Sequence, residues 1–294
     1  MSKTFKSNFF LFLAAIIWGF AFVAQCNLGN LGSNTFLASR SFLATLTMIP
    51  IILIFEREKL TLEKIVPILK YGAITGTILF IASILQQIGI DLNQSAGKAG
   101  FITSLYSIIV PILAFILFKK KSNILIWSGA IISVIGLYLL SMPNGFTSIE
   151  KGDIFILIGA FFWAFHILSI DKFVGRVSPI KYSMVQFFTC GVLATIFALI
   201  FEDISFTYIQ NAWGSIVYCG VMSSGVAYTS QIIGQKDANP TVAPIILSTE
   251  SIFSAIGGML FLNETMPFKG YIGCVLMFAG VVISQLKINK KETV

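Results

Sequence analysis

One stretch of membrane-crossing sequence is written twice in this chain, and each copy holds an odd number of crossings. Trp18, within Ala14–Phe20, recurs 145 positions later as Trp163, within Gly159–Phe165. Gly129 and Gly136 recur 144 positions later as Gly273 and Gly280, and Ile102–Ile108 returns as Ile246–Ile252. Five crossings per copy oblige the second copy to enter the membrane upside down. An inverted repeat of that kind suits a protein that rocks two halves about a central site.

The crossings are read from apolar runs of about 18 residues or more, the length that spans a bilayer core as helix. Ten such runs lie near residues 8–28, 34–55, 67–90, 97–118, 124–142, 153–174, 178–201, 212–235, 241–262 and 268–286. The first follows Lys3 and Lys6 but is too long for a signal peptide, so it is expected to stay as span one. With 56% of its 294 residues hydrophobic and 11% charged, the chain does not have the composition of a soluble domain. The expected fold is an all-α membrane protein of ten transmembrane helices, arranged as two inverted five-helix repeats. Residues 1–142 form the first repeat, 143–152 an external linker rich in turn formers, and 153–294 the second repeat.

The net charge of +7 does not indicate nucleic acid, because the positive residues sort by side. With the N-terminus inside, the cytoplasmic positions include Lys3, Lys6, Arg57, Lys59, Lys64, Lys70, Lys119, Lys120, Lys121, Lys172, Arg176, Lys181, Lys236, Lys287, Lys290 and Lys291. Only Lys98, Lys151 and Lys269 fall outside, and Arg40 lies within a span. This positive-inside bias places both termini in the cytoplasm of a multi-pass cell-membrane protein. Cys26, Cys190, Cys219 and Cys274 sit singly in separate spans and read as packing residues. Prolines mark helix starts at Ser178-Pro179 and Asn239-Pro240, where each preceding side chain is positioned to cap. Pro50 and Pro111 fall inside spans, where they can kink a helix. Gly72, Gly76, Gly257 and Gly258 read as close-packing positions, and spans five and ten, nearly devoid of polar residues, as the lipid-facing periphery.

Several motifs together resemble the drug/metabolite transporter superfamily, and within it the ten-helix EamA-type transporters. They are Trp18-Gly19, Arg40–Ala44, Ser95–Phe101, Gln186–Phe188, Leu247–Ser251 and Leu262-Asn263-Glu264. The resemblance covers nearly the whole chain. It implies a carrier of small organic metabolites, often an exporter of amino acids or related compounds, with a central cavity lined by spans one, three, four, six, eight and nine. Many relatives have proline after the span-nine glutamate; Ser251 stands there in this chain.

Polar residues buried in lipid need a reason, since a charge at mid-bilayer costs about 3 kcal/mol. Glu250, tenth in its 22-residue run, is the carboxylate nearest mid-membrane. It reads either as a proton- or cation-binding group or as a partner for free helix ends. Ser224, Tyr228, Gln231 and Gln235 form a stripe on one face of span eight, mirrored in span three by Ser83, Gln86 and Gln87. Trp18 and Trp163 are either facing walls of a cavity or packing between helices. His166, the single histidine, invites a proton-relay role, though a lone histidine is more often a neutral packing residue. Tyr106 aligns with Glu250 across the repeat and can offer a hydroxyl to the same ligand. Arg40 is about 9 Å into span two and can snorkel outward; it reads as a structural anchor in preference to a substrate clamp.

The substrate-binding set is therefore Trp18, Ser83, Gln87, Tyr106, Trp163, Tyr228, Gln231 and Glu250, with Glu250 and His166 as candidates for proton coupling. Nothing calls for a cofactor or a metal. Partners are a small-molecule substrate, lipid and protons, with the chain a monomer or homodimer. An intramembrane enzyme is disfavoured, because a single histidine and a lone mid-membrane carboxylate build neither a zinc site nor an aspartyl dyad. A secondary carrier by alternating access is the expectation. A proton-independent facilitator or exchanger is the alternative, and a channel a weaker one.

Overall fold

A computed structural model describes residues 3–56, 61–119, 123–141, 150–239 and 241–286. The linker residues up to 149 lie outside that range, as do Pro240, Arg57, Lys59, Lys120, Lys121, Lys287, Lys290 and Lys291.

Among the described residues nine helical stretches are long and apolar enough to cross a membrane, and the helix at Ile124–Leu140 is apolar but shorter. In chain order the first helices are α1 (Lys3–Cys26), α2 (Ser33–Phe55), α3 (Leu62–Asn93), α4 (Ala96–Ser104), α5 (Tyr106–Phe118), α6 (Ile124–Ser141) and α7 (Lys151–Phe173). They are followed by α8 (Pro179–Phe201), α9 (Phe206–Asn211) and α10 (Trp213–Val217), then a π-helical segment (Tyr218–Ala227) that runs into α11 (Tyr228–Asp237). Last come α12 (Ala243–Leu247), α13 (Glu250–Phe261) and α14 (Phe268–Gln285).

Two crossings are broken in the middle. α4 gives way to α5 at Leu105, and α12 to α13 at Ser248-Thr249. At these three residues ψ lies between −15° and −10°, and the backbone bonds tighten to three residues apart, as in Thr249 N to Ile246 O (3.2 Å) and Leu105 N to Ile102 O (3.3 Å). Around the second break the cause is in the side chains. The hydroxyls of Ser248, Thr249, Ser251 and Ser254 each donate to the carbonyl three residues back, competing with the helical ladder. Ser251 thus helps to distort the helix where a proline would have done so by removing a donor. The two breaks touch: Ser104 Oγ donates to Ser248 O at 3.3 Å.

α2 and α8 lie antiparallel, and each ends in a glutamate that caps the other's start. Glu202 accepts from the backbone N–H of Asn34 (2.7 Å) and of Thr35 (2.8 Å). At the opposite end Glu56 accepts from Ile180 N (3.0 Å) and Lys181 N (3.2 Å). A carboxylate at a helix N-terminus satisfies orphan donors and meets the positive end of the dipole. Ser178 does not cap directly as expected, but donates its hydroxyl to Glu56. Asn239 does act at a turn, with its Oδ1 accepting from Thr241 N at 3.0 Å.

α6 and α14, the expected periphery, expose one apolar face and press the other against each other. A Cβ on Gly129 would stand 2.5 Å from Gly280 O, and one on Gly136 2.5 Å from Gly273 O. The glycines that marked the repeat therefore form a backbone-to-backbone seam between residues of the two copies. Lipid offers no hydrophobic drive for helix association, so such close approach is what holds these helices together. Gly72 and Gly76 play the same part for α3, where they meet Val185, Gln186 and Thr189 of α8.

Candidate functional site

A polar cavity lies at the centre of the molecule, beside the two broken crossings. Its wall contains Trp18, Tyr106, Trp163, Tyr228, Gln231 and Glu250 from the expected set. The free space between them is about 40 Å³, room for a few waters, so a metabolite fits only when the walls part.

Glu250 is the first residue of α13 and Tyr106 the first of α5, so the breaks aim both side chains inward. Tyr106 donates its hydroxyl to Glu250 Oε1 at 2.9 Å, and Ser104 Oγ lies 3.5 Å from the same oxygen. The alignment that set Tyr106 opposite Glu250 therefore corresponds to a direct hydrogen bond. Glu250 is 3% exposed.

The two tryptophans line the cavity with their N–H groups already committed. Trp18 Nε1 donates to Ser223 O at 3.2 Å, and Trp163 Nε1 to Gln86 Oε1 at 2.6 Å. What they offer a ligand is their ring faces. Tyr228 stands between them, its ring 4.7 Å from that of Trp18 and 6.1 Å from that of Trp163. The π-helical segment makes the first of these bonds available. Tyr228 N bonds back five residues to Ser223 O, and that wide turn leaves the same oxygen open to the indole.

Other expected residues stand elsewhere. Gln87 is tied to Gln25 O (3.1 Å) and Asp91 Oδ1 (2.8 Å), and neither it nor Ser83 is part of the cavity wall. His166 is fully buried behind Trp163 and Tyr228, with Nε2 3.1 Å from Gln186 Oε1, and does not reach the cavity. Ser224 and Gln235 complete the stripe on paper only. The π turn shifts the phase so that Ser223 lines the cavity, while Gln235 donates to Ile167 O at 3.3 Å.

Besides Ser223, four polar residues join the wall beyond the expected set: Gln25, Arg40, Gln86 and Thr103. In the sequence Gln86 belongs only to the mirror stripe, yet it is a hub, donating to Gln25 Oε1 (3.2 Å) while accepting from Trp163. Arg40 does not snorkel: it is 6% exposed and faces the cavity from span two. A charge two turns inside a span with no nearby sequence partner was the signal available for it.

Among the described residues the secondary structure is helical throughout, and membrane-length apolar helices surrounding a polar-lined cavity make this a multi-pass membrane protein. Its residues 5–142 and 150–286 each match the model of the EamA-like transporter family, and the chain belongs to that family. It is 26% identical to an uncharacterized transporter of Archaeoglobus fulgidus over 97% of this chain and 88% of that protein. It is 26% identical to the uncharacterized transporter YdfC of Bacillus subtilis over 72% and 69% of the two chains. A WAT1-related protein of Arabidopsis thaliana is 27% identical over 82% of this chain and 74% of its own length. A solved crystal structure superposes with a TM-score of 0.77 over 95% of this chain and 96% of its own at 16% identity, a likeness of fold.

Proposed function

We propose that the chain is a secondary carrier that exports small organic metabolites, such as amino acids or related compounds, by alternating access. Two inverted five-helix halves, residues 1–142 and 153–294, rock about the central cavity, and both termini face the cytoplasm. The observation that carries this reading is the position of the cavity, bounded by two broken crossings whose interruptions, 144 residues apart, meet at the Tyr106–Glu250 bond. The separate family matches to residues 5–142 and 150–286 support the duplication. The small free space supports a carrier, because a solute larger than a few waters enters only when the walls part.

In this reading Trp18, Trp163 and Tyr228 stack on the substrate, while Gln231, Tyr106 and Glu250 bond its polar atoms. Glu250 is the group that exchanges a proton, since it is in the wall and accepts hydrogen bonds that a displaced Tyr106 would release. His166, which is bonded to Gln186 and screened by two rings, sets the position of Trp163 instead.

Reconstitution into proteoliposomes under an imposed pH gradient tests the assignment. Efflux of a substrate found by ligand thermal-shift screening is expected to follow the gradient in the wild type and to lose that dependence in Glu250→Gln. Gradient-driven efflux at an unchanged rate in Glu250→Gln would remove Glu250 from the coupling step. Flux that ignores the gradient in both proteins would make the chain a facilitator or exchanger.

A further inference from the structure

Arg40 and Glu250 are the two charged side chains in the cavity wall, and they are treated very differently by their surroundings. Glu250 has Tyr106 and Ser104. Arg40 is more than nine-tenths buried, and among the described residues its Nε–H has no acceptor. Among the described residues no ion pair is found for Arg40. The neighbours found beside the guanidinium are soft: the Phe36 ring, 5.2 Å from its central carbon, and the Cys219 sulfur. Neither neutralises a buried positive charge, and an uncompensated one is costly. Across the same wall Gln231 Oε1 is a buried acceptor that also lacks a donor.

These orphans describe a missing partner. It needs an anionic group for Arg40 and an N–H or O–H donor for Gln231, on a body narrow enough to lie between indole and phenol rings. A single guanidinium balances a single negative charge, and its planar fork matches a carboxylate. We propose that Arg40 is the specificity-determining residue of the cavity, anchoring the carboxylate of a small monoanionic or zwitterionic substrate. The assignment rests on the carrier reading above and brings span two into a site otherwise built from other spans. Binding would bring a counter-charge to Arg40 while Glu250 keeps its bond to Tyr106, so a solute without a carboxylate leaves Arg40 uncompensated and is discriminated against.

The test uses the intact chain in detergent and a series matched in shape but not in charge. The probes are phenylalanine and leucine with their amides, their decarboxylated amines, and 3-phenylpropionate. Binding is read by thermal stabilisation and by tryptophan fluorescence in wild type, Arg40→Lys and Arg40→Gln, and each bound probe is then tested for efflux from proteoliposomes. The expected result is binding of carboxylate-bearing probes only. Affinity should fall about 10- to 100-fold in Arg40→Gln, with a smaller loss in Arg40→Lys, as for removal of a charge-assisted hydrogen bond. If Arg40→Gln unfolds, Arg40→Lys carries the comparison, and carboxylate affinity unchanged in it overturns the proposal. Binding and efflux of amides or amines as good as those of carboxylates also overturns it while leaving the carrier reading intact. If no probe binds or moves in the wild type, both this assignment and the small-metabolite reading fall.

Discussion

At the level of single residues, the molecule is organised by carboxylates meeting backbone donors. Glu56 and Glu202 each close the first turn of the helix lying beside their own, and Glu264 does the same for α4, accepting from Ala96 N (2.9 Å) and Gly97 N (3.2 Å). Gly32, before α2, has no side chain with which to cap, so the partner helix supplies one. Glu202→Ala is therefore expected to lower stability by about 1–2 kcal/mol, the range for a lost cap, with Glu202→Gln less harmful. A thermal melt of the purified variants checks this, and equal melting temperatures for wild type and alanine variant would deny the cap its role. None of these pairings was legible in the sequence. Glu56 and Glu202 sit in polar connectors where a solvated charge is the ordinary reading, and their partners are 124 and 168 positions away.

At the level of elements, periodicity revealed the crossings but not their interruptions. α4–α5 and α12–α13 read as continuous apolar runs: Pro111 lies six residues past the first break, and at the second the Ser and Thr hydroxyls that bond back to the ladder leave the apolar pattern unchanged. The π-helical turn escaped for a related reason. A five-residue bond changes the phase of everything after it, so a stripe counted at ordinary helical spacing assigns Ser224 where Ser223 belongs. Trp18, Trp163, Tyr106 and Glu250 could be singled out because each is a type that lipid tolerates poorly at mid-depth or that the repeat pairs with another. Arg40 stands out for the same reason, but its long stem permits either direction, and it turns inward to the cavity. The glycine seam is the element-scale feature that most invites a test. Gly136→Val would push a branched side chain into Gly273 O of α14 and is expected to cost about 1–3 kcal/mol or more, as overpacking does. Its thermal stability should fall well below that of Gly145→Val, a control in the turn-rich linker. Equal stability would mean that α6 and α14 are not in contact.

For the molecule as a whole, three tight seams surround a small polar-lined centre. The antiparallel pairs α2 with α8, α3 with α7 and α6 with α14 join residues of the two repeats, while the broken crossings cross at the cavity. One end is further tied by Lys98, 2.9 Å from Asp153, whose carboxylate also accepts from Asn93 (2.6 Å). A substrate leaving by that end requires α4 and α7 to separate, so Asp153→Asn is expected to weaken closure and to change the transport rate without changing which solutes bind. Unchanged transport kinetics in that variant would mean the ion pair does not take part in opening. The central claim is that the cavity opens to one side at a time. It is tested most directly by placing a single cysteine at Thr103, in the cavity wall, in a background with Cys26, Cys190, Cys219 and Cys274 replaced, and labelling it with a membrane-impermeant thiol reagent. The account predicts that the reagent reaches Thr103→Cys from either face of a sealed vesicle, in proportions that substrate shifts, while never crossing the membrane. Labelling from one face alone under every condition, or passage of the reagent into the lumen, would contradict it.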